Sequence, residues 1–284
     1  MPVVKATVHG AISIVNAIAT GKGATLGISK NIDVIIETSQ GHGITTETNG
    51  KLLRSRLINR VVEKIVPKKE LQKTKLKILV DSEVPTGYGL KSSSAISSAV
   101  ALGCAKLFKP NMNDFDILRA GVDASIETKV SLTGAYDDAC ACYYGGFNTT
   151  DNYKRKIIHS EKCLDDISAV IFLPHARKRG NIRKLRTQSD VFEQAWNLAK
   201  KSDYWNAMIL NGFATSALLN SDPKIISKLV EKGALGASVS GNGPSIAAVA
   251  KNNNLTDIKK VFSTLEGTTT ISKINNKKAE VHEL

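Results

Sequence analysis

The sequence predicts an α+β fold in two units, on three observations. Strand-like and Ala-rich helical segments are mixed through the first half. The second half restarts as a strand, helices, two strands, a helix and a strand, a split β-α-β pattern. Between them the charged stretch Asn152 to Lys156 interrupts the periodicity, so the division expected is residues 1–157 and 158–284.

Val3 to Val8 reads as a strand, and Gly10 to Ala24 as a small-residue segment ending in the loop signal Thr20-Gly21-Lys22-Gly23. Ile32 to Thr38 alternates as a strand, with Ile44 to Thr48 as its hairpin partner across Gly41-His42-Gly43. Apolar residues at 53, 57, 58, 61, 62 and 65 have helical spacing before Pro67. Leu76 to Val80 is a strand, and Ser92 to Phe108 is a helix closed by Pro110. Asn113 can cap a helix to about Glu127, and Ala139 to Tyr144 reads as a strand after a turn at Gly134 to Asp138. In the second half, strands are expected at Ile167 to Leu173, Ala237 to Val239, Ser245 to Ala250 and Thr269 to Ile274. Helices are expected at Phe192 to Lys200, Tyr204 to Leu219, Pro223 to Glu231 and Leu255 to Leu265.

The 284 residues carry a formal charge of +13, which raises nucleic acid as a rival partner. The excess is local. Lys51 to Lys77 holds ten basic residues against two acids, and His175 to Thr187 holds six against none. A solvated face, a wall for an anionic small substrate and a nucleic-acid track all fit such segments. Aromatics make up only 5% of the chain and leave little to stack on bases, so no nucleic acid is expected. No run of 18 apolar residues occurs, so no membrane partner is expected, and the first residues lack the layout of a signal peptide. Cys104, Cys140, Cys142 and Cys163 show no zinc spacing and read as buried reduced thiols of a cytoplasmic protein, with Cys140 and Cys142 on one face of a strand.

Three segments carry chemistry. The first is Pro85-Thr86-Gly87-Tyr88-Gly89-Leu90-Lys91-Ser92-Ser93-Ser94-Ala95, two glycines and three serines opening a helix. Its backbone can approach a ligand closely, and the helix N-terminus suits a phosphate. It is not a Walker A loop, since no G-x-x-x-x-G-K-[ST] occurs. The second is Glu127, followed eleven residues later by Asp138, beside Asp137 and ahead of Gly145-Gly146. Carboxylates after a Gly turn can bind Mg²⁺ or act as a base, or merely shape a turn. The third is Ser240-Gly241-Asn242-Gly243-Pro244-Ser245, a tight loop between two strands.

In this order the three segments resemble the GHMP kinase superfamily, which joins galactokinase, homoserine kinase, mevalonate kinase and phosphomevalonate kinase. The family's phosphate loop, P-x-G-x-G-L-G-S-S-A, is matched by Pro85 to Ala95, with Lys91 in place of the last Gly and one additional Ser. The resemblance implies a two-domain α+β architecture, an N-terminal ribosomal protein S5 domain 2-like fold and a C-terminal ferredoxin-like domain. It implies that residues 85–95 with Gly241, Asn242 and Gly243 bind ATP. Glu127 and Ser93 or Ser94 would hold Mg²⁺. Asp138, with Asp137 as the competing choice, would be the acid at the substrate hydroxyl, and Lys5, five residues before Gly10, would counter developing charge.

Instead of the Gly-Glu-His common in the superfamily, Gly10 is followed by a run through Ala24 that resembles the archaeal-type shikimate kinases. The Gly-Ala-Tyr-Asp-Asp-Ala run and the basic stretch from Pro174 to Arg186 point the same way. That resemblance implies phosphorylation of the shikimate 3-hydroxyl, with Asn16, Thr20, Gly21, Lys22, Gly23, Arg177, Lys178 and Arg179 around the substrate. Homoserine kinase, or another small-alcohol kinase, is the nearest alternative. A monomer or a homodimer is expected.

Overall fold

The computed structural model describes residues 2–164, 166–177 and 180–284. Two sheets organise the chain. The first is built on β1 (Val3–Val15) and β2 (Lys22–Gln40), with β3 (Ile44–Thr48), β4 (Lys51–Leu52), β5 (Thr74–Ser82), β6 (Phe147–Asp151), β7 (Lys156–Glu161) and β12 (Glu280–Glu283). Its order is β12-β1-β2-β5-β3-β4, while β6 pairs with the first residues of β2, and β7 with β6. The second sheet holds β8 (Ile167–Pro174), β9 (Ala234–Val239), β10 (Ile246–Lys251) and β11 (Gly267–Lys273) in the order β11-β8-β10-β9, antiparallel throughout. That order is the ferredoxin-like split β-α-β arrangement.

β1 alternates half-buried and buried residues from Val3 to Gly10 and is buried from there to Val15. A register shift between His9 and Gly10 marks the change. Of the small-residue segment Gly10 to Ala24, residues 10–15 and 22–24 are strand, and a turn spans 16–21. The segment's apolar run is covered on both sides, which removes the period-2 signal. β3 does not form a hairpin with β2; it runs parallel to β5, from Ile44 opposite Leu76 to Thr48 opposite Val80.

The helices of the first half, among the described residues, are α1 (Arg56–Ile65), α2 (Lys68–Leu71), α3 (Ser92–Phe108), α4 (Asp114–Glu127) and α5 (Tyr136–Tyr144). Ser55 caps α1 and Asn113 caps α4, each side chain accepting from a backbone N–H three residues on. α5 corrects the strand expected at 139–144. Cys140 and Cys142 lie on a helix, and all but the last of its residues from Ala139 to Tyr144 are buried. A short element packed on all sides carries no periodicity to tell helix from strand. The second half supplies α6 (Ser189–Ala199), α7 (Tyr204–Leu218), α8 (Pro223–Glu231) and α9 (Leu255–Phe262).

The division expected at residue 157 falls inside the β6–β7 hairpin. The chain changes sheet after Glu161, and β12 returns to the first sheet. One hydrophobic core runs from Val4 and Ile36 through Ala99 and Tyr143 to Ala169, Trp196 and Tyr204, so both sheets share it. The Trp196 indole N–H donates to the Thr150 carbonyl at 3.1 Å, fastening α6 to β6. All four cysteines are buried. No helix among the described residues is long and apolar enough to cross a membrane.

Candidate active site

α3 begins where β5 and the glycine loop deliver the chain between the two sheets. Its first intrahelical bond runs from the Ala95 N–H to the Lys91 carbonyl, so the N–H groups of Ser92, Ser93 and Ser94 precede the helical ladder. No side chain caps this end. A cavity of about 340 Å³ opens in front of it, and Gly87, Gly89, Lys91, Ser92, Ser93 and Ser94 line one wall. Pro85, Thr86, Tyr88, Leu90 and Ala95 do not line it. Leu90 and Ala95 enter the core, and Tyr88 stacks outside under Arg177, whose guanidinium lies 4.9 Å from the ring centre.

The Gly-rich loop closes the opposite side with Gly241, Asn242 and Gly243. Ser240 Oγ donates to the Gly89 carbonyl at 2.8 Å, and Ser245 Oγ donates to the Tyr88 carbonyl at 2.6 Å. The end of β1 ties into the same loop. The Gly241 N–H donates to Ser13 Oγ at 3.0 Å, and Asn16 Nδ2 donates to the Gly241 carbonyl at 2.7 Å.

The floor is the first turn of α5. Asp137 and Asp138 both line the cavity, and Thr25 on β2 serves both: its hydroxyl lies 3.0 Å from Asp137 Oδ2 and 3.2 Å from Asp138 Oδ1. Asp137 is buried and also accepts from Asn152 Nδ2 at 2.7 Å. Burial, and then the neighbouring Asp138 charge, push its carboxyl above the ordinary carboxylate range. Asp138 is more open and pairs with Lys91, whose Nζ lies 2.8 Å from Asp138 Oδ1 and donates to Ser13 Oγ at 2.7 Å. The thiols of Cys140 and Cys142 behind them are pushed well up by burial.

Several expected site residues are not brought here. Glu127 stays on the surface, held by Arg60 and by Lys64, whose Nζ is 2.6 Å away, and these cations lower its pKa. Ser125 of the same helix lines the cavity, and two residues on, a helix has turned about 200°. Glu127 therefore faces away from the cavity, unlike the Mg²⁺ ligand that the resemblance implies. Lys5 pairs with Asp33 at 2.7 Å near the far end of β1 and does not line the cavity. Lys22 is spent on Glu193, 2.5 Å away, and lies over the Trp196 ring.

Thr20 and Gly21 close a local turn, through the Thr20 hydroxyl on the Lys22 N–H and the Gly21 N–H on the Ala17 carbonyl. Gly23 supports the floor instead of lining it, because a Cβ there would run into the Asp137 carboxylate. Asn16 does line the cavity, but its amide oxygen is committed to the Ile18 N–H. Arg177 lies outside the cavity lining, and Lys178 and Arg179 lie outside the described residues. Ser13, Ser125, Thr133 and Ile182 line the cavity unforeseen, as does the connector Lys129 to Leu132. That connector's signal was its place between Glu127 and Asp137.

Mg²⁺ takes one or two protein oxygens and completes its shell with phosphates and water. Ser93, Ser94 and Asp138 all line the cavity, and their side-chain oxygens are of the kind that demand calls for.

Fold and cleft together are those of a small-molecule kinase with a glycine-serine phosphate loop at a helix N-terminus. Residues 56–146 match the GHMP kinases N terminal domain. A homoserine kinase from Cytophaga hutchinsonii superposes with a TM-score of 0.77 at 17% identity, covering 99% of this chain and 97% of that one. A shikimate kinase of Methanobrevibacter smithii is 33% identical over 94% of this chain and 95% of its own length. One of Methanosarcina mazei is 35% identical over 95% and 94%. The chain belongs to the GHMP kinases and, among them, to the shikimate kinase family. It is by that membership an ATP-dependent small-molecule kinase.

Proposed function

We propose that this chain transfers the γ-phosphoryl group of ATP to the 3-hydroxyl of shikimate. The observation that carries the reading is the confrontation, across one cavity, of the uncapped α3 N-terminus with the Asp138 carboxylate. The names of the relatives supply the substrate.

The N–H groups of Ser92, Ser93 and Ser94 and the helix dipole bind the phosphates. The glycine loop, covered by residues 241–243, fixes the triphosphate for in-line transfer and excludes water. Ser93 and Ser94 would hold Mg²⁺ with the phosphate oxygens, where it neutralises their charge. Asp138 accepts the proton of the acceptor hydroxyl. Lys129, which lines the cavity, is the cation placed to meet the shikimate carboxylate.

The test is ADP release with shikimate, homoserine and mevalonate in parallel, and phosphorus NMR of the product. Shikimate 3-phosphate is expected. Turnover of homoserine or mevalonate without shikimate overturns the substrate.

A further inference from the structure

Lys91 stands where the GHMP loop has glycine, and the structure shows what that position demands. Its φ is +66°, so the chain enters α3 through a left-handed residue. A side chain there costs about 1 kcal/mol, which glycine avoids. The strain is kept together with a second expense. The Lys91 side chain is only 5% exposed, and a buried ammonium loses several kcal/mol of hydration unless it is paired. A strained backbone and a buried charge at one residue of a site call for a use.

The use is visible at the end of the side chain. Lys91 Nζ lies between Ser13 Oγ at 2.7 Å and Asp138 Oδ1 at 2.8 Å. Ser13 in turn accepts from the Gly241 N–H, so the ammonium links the base, the end of β1 and the loop that covers the phosphates. Charged and titratable neighbours on the packed elements are Asp137 and Asp138 with the Cys140 and Cys142 thiols behind them. Lys129 is the other lysine among the described residues lining the cavity. Lys5, the cation that the family resemblance implies for this duty, is engaged by Asp33.

We propose that Lys91 is the positioning cation of the reaction, turning the Asp138 carboxylate toward the acceptor hydroxyl and offsetting negative charge at the point of transfer. The assignment rests on the kinase reading above. In the step itself the acceptor oxygen forms its bond to the γ-phosphorus as the bond from that phosphorus to the β,γ-bridging oxygen breaks. ADP leaves, the hydroxyl proton passes to Asp138, and the Lys91 ammonium keeps its protons throughout. The glycine of the related loops became replaceable because this lysine repays the left-handed backbone with a fixed charge.

The test is Lys91→Gly in the full chain, which relieves the backbone and removes only the side chain. Far-UV circular dichroism and a melting curve check the fold. The kcat is expected to fall ~100-fold, as for loss of one preorganised charge or donor, while KM for ATP stays within about three-fold. Ethylammonium should restore about ten-fold of the lost rate saturably, and tetramethylammonium at equal ionic strength should not, since it donates no hydrogen bond. Lys91→Met, which keeps the volume, should show the same kcat loss.

A kcat within about three-fold of the parent overturns the proposal. So does a rise in KM for ATP at unchanged kcat, which would make Lys91 a phosphate ligand, and so does a lost rate that ethylammonium leaves lost. If the parent phosphorylates another alcohol and not shikimate, the substrate reading fails alone, and Lys91 is judged by the same comparison on that alcohol.

Discussion

Ser240 Oγ donates to the carbonyl of Gly89 across 2.8 Å and accepts from the Ser13 N–H at 3.2 Å. Two glycine-rich loops distant in sequence are thereby one unit with the end of β1. The joint is tight, because Gly89 has a φ of +81° and a Cβ on it would collide with the Ser240 carbonyl.

Ser240→Ala breaks both bonds of the hydroxyl and leaves the Ser13 N–H without that partner. Buried hydrogen bonds of this kind are worth about 1 kcal/mol each, so the melting temperature should fall by about 2–6 °C. Nucleotide affinity should fall with it, because the cover over the phosphates is loosened. Calorimetry with and without ATP measures both, and an unchanged melting temperature would show that the loops are held elsewhere.

Asp138→Ala removes the more open of the two carboxylates that line the cavity and touches no phosphate-binding N–H. The kcat for shikimate should drop ~10²–10⁴-fold, while ATP affinity by equilibrium titration changes little. Asp137 is already engaged by Thr25 and Asn152. If Asp137→Asn costs as much turnover while Asp138→Ala costs little, the base is the buried carboxylate.

Glu127→Gln tests one ligand that the family resemblance implies against the loop serines that line the cavity. The side chain is held by Arg60 and Lys64 on the surface, a pairing of the kind worth at most about 1 kcal/mol. Turnover and its dependence on Mg²⁺ concentration should therefore match the parent within about three-fold. Ser94→Ala, at the helix end, should raise the Mg²⁺ requirement. A steep Mg²⁺ defect in Glu127→Gln and none in Ser94→Ala would return the ion to the glutamate.

These residues show what was legible in the sequence. α3, Ser92 to Phe108, and the Asn113 cap were readable because glycine, proline and capping chemistry are local. The phosphate loop was readable for the same reason. Misplacements came where partners are far apart in sequence. Which way Glu127 faces depends on how α4 docks, and the parallel pairing of β3 with β5 skips the neighbouring strand. Lys91 was readable as a departure from the glycine of related loops, but its reach to Asp138 on α5 was not. The ion-pair partners of Lys5 and Lys22, Asp33 and Glu193, lie 28 and 171 residues away and leave no local signal.

Asp137 gives the protein a pH signature. Its native carboxyl titrates above the ordinary range, chiefly because it is buried and also because Asp138 lies beside it. The native state therefore holds this proton more tightly than the unfolded chain. The stability so contributed is complete below the unfolded pKa and is lost as pH rises through the native one. Asp137→Asn keeps the shape and cannot titrate, so its melting temperature should gain on the parent's between pH ~4 and ~7. A difference that is flat or shrinks across that range contradicts the raised value.

The last test separates two lysines for the acid group of the substrate. Lys22 was attractive in the sequence, but its ammonium sits 2.5 Å from Glu193 on the Trp196 side and does not line the cavity. Lys129 follows α4 in a left-handed turn, with φ +58°, and lines the cavity. A charge-assisted contact to a carboxylate is worth roughly 1.5–3 kcal/mol, so Lys129→Ala should raise KM for shikimate by ~10–100-fold with KM for ATP nearly constant. Lys22→Ala breaks a partly exposed pair and should leave both within about three-fold. Steady-state kinetics on the two variants decide the matter. A larger shikimate defect in Lys22→Ala than in Lys129→Ala would mean that the Glu193 pair opens to receive the substrate.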